Sequence, residues 1–146
     1  MNEILIYFGT FFSYVGISLG LFGLGILVFS LTTPYNEFQL IADGDELDNP
    51  EKVAAAKASA YDLGGKIIGL SLVIGSALYH SAGYVELMIW GTVGIVLEVL
   101  AFYLFELLTP FSVRGEIPRG NVAVGIFSLC ISVSTGLIMA ALVSYR

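Results

Sequence analysis

The sequence predicts an all-α integral membrane protein, a four-helix bundle built from two parallel two-helix repeats. Three observations predict it. Of 146 residues, 57% are hydrophobic and only 12% charged, with a mean hydropathy of +0.88, whereas a soluble domain is nearer one quarter charged. Four apolar runs, roughly Ile4–Thr32, Tyr61–His80, Val85–Leu108 and Val122–Ser144, each reach the about twenty residues that a helix needs to cross the hydrocarbon. Finally, the two halves resemble each other: "LTTPYNEFQLIADGD" (Leu31–Asp45) aligns without gaps on "LLTPFSVRGEIPRGN" (Leu107–Asn121).

That alignment pairs Thr33-Pro34-Tyr35 with Thr109-Pro110-Phe111, Ile41 with Ile117, Gly44 with Gly120 and Asp45 with Asn121. Each unit is then helix, cytoplasmic loop, helix. An even number of crossings makes the units parallel, related by an axis along the membrane normal. The chain reads as one domain over 1–146, with repeat one about 1–82 and repeat two about 83–146.

The first run has no positive region before it and is too long for a signal-peptide core, so it is expected to be retained as a span. Backbone groups in lipid must bond internally, which makes all four runs helices. Gly16-x-x-x-Gly20 and Gly65-x-x-x-Gly69 would let helices approach closely, within one chain or between two copies of a homodimer.

Lys and Arg orient the spans. Lys52, Lys57, Lys66, Arg114 and Arg119 lie in or beside the first and third loops, against Arg146 alone on the other side. The positive-inside rule puts those loops in the cytoplasm and both termini outside. The formal net charge of −6 lies largely in one loop, and nucleic-acid binding lacks the basic face it needs.

In the first loop, Thr33-Pro34 resembles a helix start. Tyr35, Phe38 and Ile41 would share one side of a short helix lying in the interface. Asn36 and Asn121 fit helix-start positions, and the glycine and second proline after Pro110 predict a less helical third loop. "DGDELDNPE" is acidic but fails the calcium-loop spacing, which wants glycine at the sixth position and glutamate at the twelfth. Asn49-Pro50-Glu51 reads as an N-cap followed by proline, so the second helix is expected to start near Pro50, before it enters lipid around Tyr61. One cysteine, Cys130, and one histidine, His80, cannot build a conventional zinc site. There is no nucleophile–base pair, phosphate loop or metal-ligand spacing. The chain is therefore read as a non-enzyme without cofactor.

The charges inside the apolar runs are the candidate functional residues. Asp62 and Lys66 are four apart, a favourable helical pair, and Glu106 lies at similar depth. These three are expected to form a network, either structural or at the mouth of a cavity. Glu98 lies eight residues before Glu106, about 12 Å deeper and rotated by about 80°, near mid-membrane. A charge there costs roughly 2.5–3.5 kcal/mol or more, so Glu98 should face protein or a water-filled cavity, and the neutral acid is its cheaper form. A single interhelical hydrogen bond and proton or cation handling both fit it.

The segments "TPYNEFQLI", a Gly-Asp or Gly-Asn element after each loop, "IWG" opening the third helix and "GNVAVG" opening the fourth resemble the YjfL-like family of small bacterial inner-membrane proteins, over essentially the whole chain. The resemblance implies a four-helix inner-membrane protein in the genomic company of membrane-stress proteins, flotillin-like proteins or ATP-grasp and polyamine-type enzymes. It implies no catalytic residue. The chain departs from the family pattern in its acidic insertion Glu46–Lys52 and in Glu98, where a glutamine is expected. The leading expectation is a scaffold or sensor linked to envelope stress or membrane organisation. Its loop motif Thr33, Pro34, Asn36, Glu37, Pro110 and Asn121 would be offered to a cytoplasmic protein partner. The rival is a small dimeric channel or transporter for protons or cations using Glu98.

Overall fold

The computed structural model describes residues 2–145, and the chain is helical almost throughout. Four long helices, α1 (Asn2–Thr32), α3 (Pro50–His80), α4 (Tyr84–Leu108) and α6 (Val122–Tyr145), are each long and apolar enough to cross a bilayer. Short helices α2 (Glu37–Ala42) and α5 (Val113–Glu116) lie in the loops after α1 and α4, and a 3-10 turn (Asp43–Asp45) follows α2. The protein is an all-α integral membrane bundle. Arg146, counted in the orientation argument, lies outside the described residues.

The long helices show lipid how little they need water. Ile4, Leu5, Ile6, Tyr7, Phe8, Phe11 and Phe12 are all more than half exposed, which lipid tolerates and water would not. α1 turns inward only in its second half, burying Leu21, Gly25 and Phe29 at intervals of four, one stripe of a helix. α4 buries Leu87, Gly91, Gly94, Ile95, Glu98 and Phe102, again one face. α3 is the central helix, buried at twelve positions from Ala55 to Ala77.

The most extensive helix pair is α3 with α6, and small residues make it. A methyl built on Gly136 would sit 2.3 Å from the Cα of Gly69, and one on Gly125 2.8 Å from the Cα of Ala58. One on Gly65 would sit 2.5 Å from the Cα of Leu129. The backbones touch where side chains would normally stand between them, as small residues permit in lipid. Gly65-x-x-x-Gly69 is therefore used within the chain. Gly16 and Gly20 have open space where a Cβ would be.

At the loop end, two short helices close the bundle by different means. α5 inserts Val113, and the residue that ends it, Ile117, packs beside it among Ala58, Phe102 and Val124. α2 inserts Glu37. Its N-cap is Asn36, whose side chain accepts from the Gln39 amide at 3.0 Å. The helix therefore begins after Asn36, and Thr33-Pro34 is the bend between α1 and α2 and not a helix start. Phe38 and Ile41 are exposed together, but Tyr35 leaves their side and turns into the bundle, because its hydroxyl finds a carboxylate there. Asn49 caps α3 through the amides of Glu51 and Lys52, with Pro50 in the first turn. Gly120 has φ of 84°, a conformation that favours glycine, and a methyl there would lie 2.9 Å from the Ala54 side chain. Gly44 likewise presses on Ala56.

The glycine contacts generate a paired prediction. Gly136→Ala forces α3 and α6 apart and is expected to lower unfolding stability in detergent by about 1–3 kcal/mol, while Gly20→Ala stays within about 0.5 kcal/mol. Equal losses for both would contradict the packing described.

Candidate functional site

α3 carries Asp62 and Lys66 one turn apart on its buried face, and both are almost sealed from solvent, at 0% and 3% exposure. The ammonium of Lys66 has three protons to place, and the structure places all three. It donates to Glu37 Oε1 at 2.7 Å, Asp62 Oδ2 at 2.8 Å and Thr33 Oγ1 at 2.9 Å. It also stands 4.4 Å from the centre of the Phe102 ring, an attractive arrangement for a desolvated cation.

Each partner is held in turn. Asp62 Oδ2 accepts from the Tyr35 hydroxyl at 2.7 Å, and Oδ1 from the Ser128 hydroxyl of α6. The Thr33 hydroxyl donates to Glu37 Oε1 at 3.3 Å, and Ser59 donates to the Glu37 carbonyl at 3.3 Å. The network therefore joins the α1–α2 bend, α2, α3 and α6. Each buried ion costs several kcal/mol in desolvation, repaid only when the hydrogen bonds are complete. Asp62, with donors on both oxygens, is the natural counter-ion of Lys66. Glu37 is the surplus acid: its Oε2 has no partner. Burial pushes the Glu37 carboxyl above its ordinary value, and Lys66 beside it pulls the other way. Burial and the neighbouring Asp62 also push the Tyr35 phenol up, so it remains a donor.

Glu106 is not in this network. It lies at the end of α4 and serves the other loop, accepting from the Ser112 hydroxyl at 2.9 Å and from the Arg114 amide and Nε at 3.1 Å each. Ser112 in turn caps α5 through the Gly115 amide. Thus Asp62 and Lys66 come together, Glu106 pairs with Arg114, and Glu37 occupies the place expected of Glu106. The physical reason is reach: α2 folds back over α3, whereas the α4 end faces its own loop. Lys66 stays inside the bundle, with its three protons on Glu37, Asp62 and Thr33. Asn121 accepts from the Val124 amide at 3.3 Å and donates to Glu116 at 2.9 Å. Pro34 and Pro110 are exposed at the bends.

Glu98 stands about one turn deeper than Lys66, against Gly69 and the Ser132 carbonyl. It is 1% exposed, so it faces protein and not lipid, and neither carboxyl oxygen has a hydrogen-bond partner among the described residues. A cavity bordered by Phe102, Phe105, Phe127, Ser128 and Ser132 has about 10 Å³, at the lower limit for one water. Sequence reading missed Tyr35, Ser59, Ser128 and Ser132. The spacing Gly125, Ser128, Ser132, Gly136 put small and polar residues on one helix face and was the available signal.

A bundle of four lipid-length helices around a buried ion network, with loops closed by short helices, defines a polytopic membrane protein. Residues 2–143 match the family described as Domain of Unknown Function (DUF350), and the chain belongs to that family. It is similar to the UPF0719 transmembrane protein YshE of Bacillus subtilis (strain 168), at 32% identity over 141 residues, covering 96% of this chain and 94% of that protein. It is also similar to the UPF0719 inner membrane protein YjfL of Escherichia coli (strain K12), at 23% identity, covering 93% and 94%. No solved structure matches the chain.

The shift of Glu37 sets a pH dependence. Folding raises its affinity for a proton, so the unfolded chain ionises first as pH rises. Stability from this group is fully present below the ordinary value of 4.5 and is lost as pH climbs through the shifted value. Glu37→Gln is expected to remove that slope from the thermal unfolding midpoint measured against pH. Lys66→Met strands buried carboxyls and is expected to cost about 3–5 kcal/mol at neutral pH. An unchanged slope, or a harmless Lys66→Met, would refute the charge assignment.

Proposed function

We propose that the protein is a non-catalytic component of the bacterial inner membrane, a scaffold or sensor that offers its α2 face to a cytoplasmic protein partner. The observation that carries the reading is the use made of the loop motif. Thr33, Tyr35 and Glu37 are spent on fixing α2 to α3 and α6, and this leaves Phe38, Gln39 and Ile41 exposed at the bundle end. A buried ion network that holds a surface helix in one pose is suited to presenting that surface. The positive-inside rule, with Lys52, Lys57, Arg114 and Arg119 at this end, supports a cytoplasmic position for it and both termini outside. A role in envelope stress or membrane organisation is what the family resemblance implies.

A photo-crosslinker at Gln39 in living cells is expected to yield one discrete adduct with a cytoplasmic protein, lost when Phe38→Ala is added. The same crosslinker at lipid-facing Leu142 should yield none. Labelling of lipid alone at both positions would defeat the scaffold reading.

A second reading is a dimeric path for protons or cations, and the unpartnered carboxyl of Glu98 favours it. Two copies would pair along α1, where Gly9, Gly16, Gly20 and Gly23 have open space beside them. Proton and cation flux in liposomes tests it: flux should vanish in Glu98→Gln, and unchanged flux would remove Glu98 from the path.

A further inference from the structure

Glu98 occupies a place where its ionised form has nothing to bond to. A methyl built on Gly69 would sit 2.3 Å from Glu98 Oε1 and 2.5 Å from the Ser132 carbonyl oxygen. Two hydrogen-bond acceptors thus crowd the single gap that the missing side chain of Gly69 leaves at the junction of α3, α4 and α6. Among the described residues, no donor reaches either carboxyl oxygen. Lys66, on the adjacent turn of α3, has committed its three protons to Glu37, Asp62 and Thr33.

The charged groups around the junction are few. α3 contributes Lys66 and, beyond it, Asp62. α2 contributes Glu37 through Lys66. α6 brings Ser128 and Ser132 and no charged group, and the buried stripe of α1 is apolar. On α4 itself, Glu106 is occupied by Arg114. One ammonium therefore stands among three buried acids and bonds to two of them, Glu37 and Asp62. Glu98 Oε1 and the Ser132 carbonyl oxygen both border the position a Gly69 side chain would take, and an ionised carboxylate left without a donor in an apolar surround is costly. A metal cation would need several oxygen ligands and room for itself, and the space beside Gly69 does not admit even a methyl group without a clash. A proton needs neither.

We propose that Glu98 is a proton-binding site that locks α4 onto the α3–α6 crossing. With the proton bound, the carboxyl hydroxyl donates to the Ser132 carbonyl and the three helices close on Gly69. When the proton leaves, the carboxylate and the carbonyl repel, and α4 loosens from the crossing. The ammonium of Lys66 is then drawn away from Glu37, the partner that holds α2. The inference deepens the reading of Glu98 as an ion-handling group, and it names the proton as the ion. It requires no transport.

Infrared difference spectroscopy of the full chain in lipid nanodiscs tests it. Subtracting the Glu98→Gln spectrum from that of the unchanged protein at neutral pH is expected to leave the carbonyl band of a protonated acid. Glutamine keeps the shape and offers an amide donor to Ser132, so this variant should fold as the locked form. Raising the pH should convert the acid band to carboxylate bands. Protection of the α4 amides, taken relative to the intrinsic rise of exchange with pH, should fall across the same midpoint, and in Glu98→Gln it should not. Carboxylate bands at neutral pH, or α4 exchange that ignores the conversion, would overturn the proposal. Flux measured on the same samples separates the readings: an acid band without flux keeps the lock and removes the path. Flux with Glu98 ionised at neutral pH keeps the path and removes the lock.

Discussion

A lysine ammonium sealed inside a bundle that lipid surrounds has no water to fall back on, and the rest of this structure is arranged around that constraint. Lys66 needs three acceptors and a counter-ion within reach. α3 supplies Asp62 one turn away. The remaining acceptors, Thr33 and Glu37, come from the bend and short helix after α1, so the loop is folded by the charge it neutralises. Ser128 completes Asp62 from α6, and the same interaction therefore reaches three of the elements at that end.

The glycine seam between α3 and α6 makes this geometry possible. Side chains of ordinary size at Gly65, Gly69, Gly125 and Gly136 would separate the two backbones and carry Ser128 away from Asp62. Lipid supplies no hydrophobic drive to bring helices together, so close contact and hydrogen bonding must do it. The seam provides contact along most of its length and the network adds polar bonds at one end. The two loops show the same division. Val113 fills its socket beside Ala58 and Phe102 by shape, and Glu37, which faces Val113 in the loop alignment, fills its own by charge.

Much of the fold was legible because its signals are local. Span lengths, the Asn49-Pro50 start of α3, the Asn36 cap and the shorter helix of the third loop all follow from neighbours in sequence. The inward position of Glu98 also followed, from the cost of exposing a carboxyl to acyl chains. The identity of the network did not. Depth along a helix suggested Glu106 as the partner of Lys66, but partnership depends on which loop folds over which helix. Glu37 was singled out as part of a surface motif, and nothing in its own segment shows that it points inward while Phe38 points out. Tyr35 misled for the same reason: its spacing to Phe38 fits one helix face, yet it precedes the first turn and is free to rotate toward Asp62.

Hydrogen exchange of the α2 amides tests most directly whether Lys66 holds that helix in place. In Lys66→Met, embedded in nanodiscs, the amides of Phe38 to Ala42 should exchange far faster than in the unchanged protein, while the α3–α6 seam stays protected. Equal protection of α2 in both proteins would show that the helix is held by something else, and the account built on the buried ammonium would be wrong.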